Sequence, residues 1–442
     1  MTESTKPAGM SLTVKIVIGM VLGIVVGLLF NLAAHFGLIS EGGTLWNFFV
    51  GGLFAAIGKI FVSALQMLVV PLVFVSLVCG TSALDNPKKL GRLGIKSLAL
   101  YLATTALAVT VALTLAMIVQ PGNGINIGES EFSVAQAPPV IDVIIGMVPK
   151  NPFAAMAEGN MLQIIVFSIL FGLAITLAGR QGQRVRETFQ AFDAVVMRLV
   201  SILMAVAPFG VFALIAGVAA TLGIGVFENL GIYFGLVLFV LLLHQLVTYP
   251  VLLTLLARVN PLTFLRKMRP AMLFAFSTAS SNATLPVTLH SVEKRLGASN
   301  SVSSFTVPLG ATINMDGTAI MQGVATVFIA NAYGHDLSIA QLMTVVLMAT
   351  LASIGTAGVP GVGLIMLAGV LTQVGLPVEA IGLVMGVDRL LDMTRTAVNI
   401  TGDAMVTTVV ARSEGELDLD TFNNPRAGLD DIPDELADFQ HG

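Results

Sequence analysis

Residues 388–405 read DRLLDMTRTAVNITGDAM, a run of charged and polar side chains inside a long apolar segment. In a helix, successive side chains turn by about 100°, so most of these polar groups share about 80° of one face. The members of this polar stripe are Asp388, Asp392, Arg395, Asn399 and Asp403, with Thr396 at its edge. Arg389 falls outside the stripe. A structural salt-bridge ladder would leave three acids beside one base unexplained, so the stripe predicts a functional site on a membrane helix.

The composition restricts the class of protein. Of the 442 residues, 55% are hydrophobic and 11% are charged, whereas an ordinary soluble domain carries roughly 25% charged residues. Lipid is therefore the expected solvent, and the net charge of −4 offers no basic surface for nucleic acid. The single cysteine, Cys79, excludes disulfides within the chain and cysteine metal sites. No hydrolase motif or P-loop occurs, so we expect neither an enzyme nor an ATP-driven pump.

Apolar segments long enough to cross a bilayer follow one another along the chain. The predicted spans are 11–36, 46–80, 90–119, 141–179, 190–222, 229–257, 300–332 and 379–411. Two further apolar segments, 260–291 and 338–375, are interrupted midway by Gly, Ser, Thr and Pro. A solvated acidic tail is expected from Ser413 onward.

Basic residues in the connections orient the spans, because Lys and Arg accumulate in cytoplasmic loops. With the N-terminus inside, the inner connections hold most of the loop charge, for example Arg184, Arg269 and Arg295, and the outer ones hold Lys150. This assignment works only if both interrupted segments enter and return on the same side. The predicted fold is therefore an all-α polytopic membrane protein with eight transmembrane helices plus two re-entrant hairpins, which form inverted repeats.

The two interrupted segments break at matching places. One reads STASSN at 277–282 and ATLP at 283–286, and the other reads SIGTAG at 353–358 and ends in Pro360. Paired, Gly/Pro-interrupted hydrophobic segments point to the binding site of a transporter. Irregular backbone at membrane depth persists only where it is buried in protein or lines a cavity.

The span at 300–332 contains TINMDGT at 312–318. Asn314 and Gly317 weaken a helix, so we expect local unwinding around Asp316. Unwound carbonyls together with one carboxylate make a hard-oxygen site that suits a small cation. A small-residue packing notch is the alternative, but it would not require Asp316.

Together these motifs identify a resemblance. The NMDGT sequence at 314–318, the Ser-rich tip that runs into TLP at 284–286, GTAGVP at 355–360 and the Asp-x3-Asp-x2-Arg-Thr-x2-Asn-x3-Asp pattern from 388 resemble the dicarboxylate/amino acid:cation symporter family. That family includes the excitatory amino acid transporters and archaeal aspartate transporters. The likeness runs from about residue 10 to 412. It implies a homotrimer that carries aspartate or glutamate with sodium by alternating access, and a location in a bacterial inner membrane.

The spans and the resemblance together divide the chain into four parts. Residues 1–10 are a cytoplasmic N-terminus, and 11–257 hold the first six spans, which comprise the scaffold and trimerisation region plus span 3. Residues 258–411 form the transport core with both hairpins, and 412–442 are an acidic cytoplasmic tail.

The resemblance assigns the substrate-binding residues position by position. Arg395 resembles the residue that grips the substrate side-chain carboxylate, which suits its bidentate fork. Thr318 would assist Arg395, Asp392 would accept the substrate ammonium, and Asn399 and Ser281 would contact the α-carboxylate. The full expected set is Ser280, Ser281, Thr318, Gly358, Asp392, Arg395, Thr396 and Asn399.

The resemblance also implies three sites for Na+, the co-transported ion. Asp403 and Asn314 resemble one site, and Met315 and Asn399 are further expected sodium ligands. A second, largely carbonyl site consists of Thr312, Ser353, Ile354 and Thr356. A third consists of Tyr101, Thr104 and Thr105 with Asn314 and Asp316.

The chain departs from its relatives at two points. Relatives often carry a second arginine where this chain has Ala279 or Met393. The resemblance places Gln322 at the position where proton-coupled animal members of the family have a glutamate. The glutamine argues against a step in which this side chain carries a proton.

Two other functions stay open at this stage. One is a proton-coupled symporter of the same family that carries a C4-dicarboxylate such as succinate or malate. By the same resemblance, the C4-dicarboxylate members have Ser at the position of Asp392 and Asn at the position of Asp403. The other class is an anion channel or a binding-only receptor on this scaffold. A channel would need a pore lined by one sign of charge, whereas both signs share the polar stripe.

Overall fold

The computed structural model describes residues 12–82, 87–125, 145–146, 148–223, 225–354, 358 and 360–428. The described residues form helices, and their only β-type pairing is an isolated bridge between Ala298 and Leu417. Within this part of the chain, four helical stretches are long and apolar enough to cross a membrane, and a bent pair adds a fifth. They are Val14–His35, Thr44–Cys79, Arg92–Val119 and Glu228–Ala257, with the pair Gly179–Val200 and Ala205–Thr221. The predicted all-α class, with apolar helices typical of a membrane protein, is confirmed.

The first half of the chain builds a bundle around one long helix. Its helices are α1 (Leu12–His35), α2 (Thr44–Phe48), α3 (Ala55–Ser82), α4 (Pro87–Val119), α5 (Pro152–Glu158), α6 (Met161–Leu177), α7 (Gly179–Leu222) and α8 (Gly225–Leu243), with a π-helical turn at Phe49–Phe54. Helix α7 packs along α1 and α3, and α3 also packs along α6. Small residues allow this close packing: a Cβ atom on Gly19 would lie 2.5 Å from the carbonyl oxygen of Pro208.

Two predicted spans differ from the structure. The expected span at 141–179 is divided in its described part, because Gly159 ends α5 with a φ of +69° and the Asn160 side chain caps α6. The span expected at 190–222 begins earlier, since α7 includes the basic segment from Gly179. Helix α7 bends by 46° between residues 200 and 205. Pro208 explains the bend, because its ring removes the donor for the carbonyl of residue 204.

The second half of the chain surrounds one central helix, α16. Its helices are α9 (Tyr249–Leu252), α10 (Pro261–Thr278), α11 (Ser281–His290), α12 (Asn300–Ile313), α13 (Asp316–Ala332), α14 (Ile339–Ser353), α15 (Val362–Val374), α16 (Ile381–Glu414) and α17 (Leu419–Asn423). Three π-helical turns, His244–Thr248, Leu253–Ala257 and Ser291–Arg295, and a 3-10 turn at Val378–Ala380 complete it. Helix α16 packs against α10, α12 and α13, and α4 packs along α13 and α14. Because α16 carries the polar stripe, this packing buries the stripe in protein.

The helix breaks fall within the predicted segments, with one correction. Residues 283–286, predicted as part of the first break, are helical, because the Ser280 side chain caps the amide of Ala283 and α11 begins at Ser281. Helices α10 and α11 separate at Ala279, which has a φ of +50° in the left-handed region. Helices α12 and α13 separate at Asn314 and Met315, so the predicted local unwinding is confirmed. Helices α14 and α15 separate between residues 353 and 362. The predicted tip residues at 355–357 and 359, which include Thr356, lie outside the described residues.

The segment that follows α16 is docked, and we name residues 413–423 the C-terminal strap. Glu414 pairs with Arg92 and Lys96 of α4, and the carbonyl of Glu416 accepts a hydrogen bond from the amide of Ser299 at 3.0 Å. The structure therefore differs from the solvated tail expected from Ser413.

The far end of the C-terminal strap closes on α10. The Lys267 ammonium donates to the carbonyl of Thr421 at 2.7 Å and lies 5.9 Å from the ring centre of Phe422. Both Lys267 and Phe422 are buried. A buried aromatic ring outweighs the acidic composition of this segment, because its burial contributes about 1.5–3 kcal/mol.

Candidate functional site

The helix breaks meet α13 and α16 around one small cavity. Its volume is about 20 Å³, which is room for about one water molecule. It brings together most of the predicted substrate-binding residues. Those in its wall are Ser281, Thr318, Gly358, Asp392, Thr396 and Asn399. Ala279, Met315, Val362 and Gly363 complete the wall.

Ser280 takes a different position from its neighbour Ser281. Its hydroxyl donates to the carbonyl of Gly358 at 2.7 Å, and the amide of Asn282 donates to the same carbonyl at 3.2 Å. The break of α10–α11 therefore touches the break of α14–α15. Ser281 is the first residue of α11 and is buried against the cavity. The positive end of the α11 dipole thus lies at the cavity, where it favours a carboxylate.

Arg395 lies next to this cavity and is fully buried. Its guanidinium donates to Oδ1 of Asp388 at 2.6 Å and to Oδ1 of Asp392 at 2.9 Å. The other oxygen of Asp392 accepts a hydrogen bond from the amide of Gly361 at 3.1 Å. A Cβ atom on Gly363 would lie 3.2 Å from Nη2 of Arg395, so glycine allows α15 to pass close to the guanidinium. The predicted pair of Arg395 and Asp392 is thus in direct contact.

Arg389 also reaches the site, although a helical wheel places it outside the polar stripe. Its Nη1 atom lies 3.5 Å from Oδ2 of Asp392. The side chain is long enough to cover the angle between positions i and i+3, which a wheel of Cα directions does not represent. Asp392 therefore contacts two guanidinium groups.

A second polar cluster surrounds Asp316 at the start of α13. Its Oδ1 atom accepts hydrogen bonds from Thr105 at 2.6 Å and from Thr104 at 3.4 Å, and all three residues belong to the predicted third sodium site. Its Oδ2 atom lies 2.9 Å from the hydroxyl of Tyr249 and 3.2 Å from Nε2 of His244. All five side chains are buried.

His244 and Tyr249 in this cluster are not among the site residues predicted from the sequence. They lie 72 and 67 residues before Asp316, in and just after the π-helical turn His244–Thr248. Pro250 cannot donate to the carbonyl of residue 246, which explains the wider turn. The available signal was a histidine followed by a glutamine inside an apolar span.

A third polar cluster joins the unwound residues to α16. The Asn314 side-chain amide donates to Oδ1 of Asp403 at 2.9 Å and to the carbonyl of Asn399 at 3.0 Å. The Oδ1 atom of Asn314 is buried and has no hydrogen-bond partner in the described part of the chain. A buried acceptor without a donor is costly unless a cation contacts it. The hydroxyl of Tyr101, a residue predicted for the third site, donates to the carbonyl of Thr306 at 2.9 Å.

Asn399 connects the cavity to the third polar cluster, which Asn314 and Asp403 form. Its side chain lines the cavity, accepts a hydrogen bond from the amide of Gly317 at 2.8 Å and donates to Sδ of Met315 at 3.2 Å. Its own carbonyl accepts the hydrogen bond from Asn314. One residue therefore contacts both the cavity and Asn314.

The predicted second sodium site is only partly described. The hydroxyl of Thr312 donates to the carbonyl of Leu309 at 2.9 Å, and that of Ser353 donates to the carbonyl of Thr350 at 2.7 Å. Ile354 is buried, and Thr356 lies outside the described residues. This site stays a prediction.

The donors in these clusters are carboxylates, hydroxyls, amides and carbonyls. In the described ranges, no group of three His, Cys, Asp or Glu side chains could hold a metal ion. Hard-oxygen donors with few charges suit a small monovalent cation better than a transition metal. Together, the clusters can bind a small cation beside a ligand that carries both carboxylate and ammonium groups.

Comparison with known proteins agrees with this chemistry. Residues 12–413 match the family model described as the sodium:dicarboxylate symporter family. A "Proton/sodium-glutamate symport protein" of Bacillus subtilis (strain 168) is 36% identical over 81% of this chain and 86% of its own. The "Proton/glutamate-aspartate symporter" of Escherichia coli (strain K12) is 36% identical over 84% of this chain and 88% of its own. "Excitatory amino acid transporter 3" of Mus musculus is 35% identical over 83% of this chain and 80% of its own.

The family match covers the helices and the breaks that build the cavity, and these relatives are named as transporters rather than enzymes. The chain belongs to the sodium:dicarboxylate symporter family.

Proposed function

We propose that this protein is a secondary active transporter that couples sodium entry to the uptake of aspartate or glutamate by alternating access. The single observation that carries this proposal is the contact of Arg395 with Asp392, which lies on the wall of the cavity. Asn399 lines the same cavity and contacts the cluster of Asn314 and Asp403. The names of the relatives, which are glutamate and aspartate symporters, support the same substrate class.

Substrate binding would exchange ion pairs. A substrate side-chain carboxylate would take the Arg395 guanidinium from Asp388 and Asp392, and the α-ammonium would then replace the guanidinium at Asp392. A buried carboxylate that loses its partner costs about 3–5 kcal/mol. An acidic amino acid returns a positive group to Asp392, whereas a plain dicarboxylate does not.

Sodium would bind first and organise the unwound residues. Asp316 and Asp403 supply negative charge, and the free Oδ1 of Asn314 supplies a further ligand. Binding there orders Asn314, whose side chain holds the carbonyl of Asn399 on the cavity wall. Coupling requires only that ion and substrate stabilise the same closed state.

We further propose eight transmembrane helices plus two re-entrant hairpins, with α10–α11 entering from the cytoplasm and α14–α15 serving as the outer gate. Residues 258–411 would move as the transport core against a scaffold within 11–257, in a homotrimer of the bacterial inner membrane. Loop charges and the matching helix breaks support this arrangement.

The nearest rival is proton coupling with succinate or malate as substrate, and some relatives have "Proton" in their names. The decisive experiment is reconstitution into liposomes and uptake of labelled aspartate, glutamate and succinate under separate sodium and proton gradients. We expect sodium-driven uptake of the amino acids at fixed pH. Equal uptake under a proton gradient in sodium-free buffer would favour the rival. Counterflow of labelled substrate would distinguish a carrier from an anion channel.

A further inference from the structure

Arg389 contacts the oxygen of Asp392 that Arg395 does not contact. Arg395 contacts Oδ1 of Asp392, and Arg389 lies 3.5 Å from Oδ2 of the same carboxylate. The Arg389 side chain is 11% exposed, so water screens this ion pair only weakly. Ala279 and Met393, where relatives often carry a second arginine, contribute no charge here.

The surroundings of Arg389 are largely apolar. It lines a cavity of about 30 Å³ together with Asp388 and Asp392, and the apolar part of the lining includes Phe61 and Leu65 of α3. Charges act strongly on one another next to such a lining, because the local dielectric constant is low.

The charges of this group balance only when Arg389 is counted. Asp388 and Asp392 carry two negative charges, and Arg395 supplies one positive charge to both. Arg389 supplies the second positive charge. An acidic amino acid brings two carboxylates and one ammonium, so its net charge is −1. Without Arg389, that substrate would enter a group that already carries an excess negative charge.

We propose that Arg389 is a positioning residue for substrate binding. Its guanidinium keeps Asp392 oriented and charge-compensated while Arg395 turns to the substrate carboxylate, and it thereby raises the affinity for acidic substrates. This inference rests on the proposed function and adds to it a residue that acts through Asp392. Its distinctive consequence is that the contribution of Arg389 depends on the charge of the ligand.

The test uses the full-length protein purified in saturating sodium, with aspartate affinity measured by calorimetric titration. We expect Arg389→Gln and Arg389→Met each to weaken aspartate binding by about tenfold or more, because each removes the charge. Arg389→Lys keeps the charge and should stay within about threefold of the wild type. Arg412→Gln, an exposed arginine at the end of the same helix, is the matched control and should change nothing.

Competition with ligands of different charge separates an electrostatic role from a structural one. In Arg389→Gln, the loss of affinity should be largest for succinate, smaller for aspartate and smallest for asparagine. The cavity beside Arg389 has a largely apolar lining, which accommodates a methionine side chain. Arg389→Met therefore provides the same test if the Arg389→Gln variant does not fold.

The inference alone would be overturned by an aspartate affinity within about twofold of the wild type in both neutral variants, or by a Lys variant as weak as they are. Equal losses for all three ligands would also contradict it. A wild-type protein that binds no acidic amino acid in sodium would overturn the proposed function and this inference together.

Discussion

Gly310 and Asp403 lie so close that a Cβ atom added to the glycine would be 2.5 Å from Oδ1 of the carboxylate. The same atom would lie 2.7 Å from the hydroxyl of Tyr101. Contacts this short force something to move, and both neighbours are buried. The absence of a side chain at Gly310 therefore lets α12 pack closely against both Asp403 of α16 and Tyr101 of α4.

We predict that Gly310→Ala raises the sodium concentration needed for half-maximal uptake by about tenfold or more. Alanine favours a helix over glycine by about 1 kcal/mol, so helix propensity does not cause the loss. Gly217→Ala in α7 is the control, because its Cβ meets nothing within 4 Å. An unchanged sodium dependence in Gly310→Ala would show that Asp403 is not an ion ligand.

Arg395→Cys should abolish the uptake of acidic amino acids. The substitution leaves Asp388 and Asp392 without their buried partner and leaves the substrate carboxylate unpaired in a dry site. Neutral amino acids lack that carboxylate, so their binding should persist or increase. Competition by unlabelled serine and aspartate measures both effects. Unchanged aspartate affinity in this variant would contradict the role of Arg395.

Asp392→Ser should narrow or invert the preference for aspartate over succinate. Only the amino acid carries an ammonium group, so only the amino acid loses a partner when the carboxylate is removed. Inhibition of labelled aspartate uptake by each compound, in wild type and variant, gives the ratio. If succinate competes as well as aspartate in the wild type, Asp392 is not an ammonium acceptor.

The sequence predicted those parts of the site that lie within single motifs. Asn314 and Gly317 predicted the break between α12 and α13, and the helical period placed Asp392 beside Arg395. Local propensity and periodicity are enough for such features, because every partner lies within a few residues.

Contacts between distant segments could not be predicted in this way. The pairing of His244 with Asp316 depends on how α8 packs beside α13, and no local pattern contains that information. Arg389 was placed off the polar stripe because a helical wheel records directions and not side-chain reach. The docked Phe422 was missed because acidic neighbours dominate the composition of its segment.

Phe422→Ala should release the C-terminal strap while leaving the fold of the membrane helices intact. The ring is buried, and its loss costs about 3–5 kcal/mol when it lies in a packed core. We expect amide hydrogen exchange at residues 415–423 to become at least about tenfold faster. Phe36→Ala is the control, because that ring is 72% exposed. Equal protection in wild type and Phe422→Ala would show that the strap is held elsewhere.

The C-terminal strap should also loosen in acid. Hydrogen bonds from the Thr421 hydroxyl and the Asp420 amide lower the pKa of Asp418. Because the folded pKa lies below the unfolded value of about 3.9, this contribution is complete above that value and is lost as the pH falls through the folded pKa. Exchange at Asp420 and Thr421, corrected for the intrinsic rate, should rise there in the wild type. In Asp418→Ala it should be fast at every pH.

The pairing of Glu414 with Arg92 and Lys96 ties the end of α16 to the start of α4. The distance between one probe on α4 and one on α16, placed beside this ion pair, should stay constant throughout a transport cycle. The distance between probes on α1 and α16 should change, because it reports the movement of the transport core. Helix α4, which corresponds to predicted span 3, would therefore move with the transport core, although its sequence lies between spans of the scaffold. The segments of chain before Pro87 and after Val119 must then allow this movement of α4. Deleting residues from either segment would limit the distance that α4 moves without altering one ligand contact.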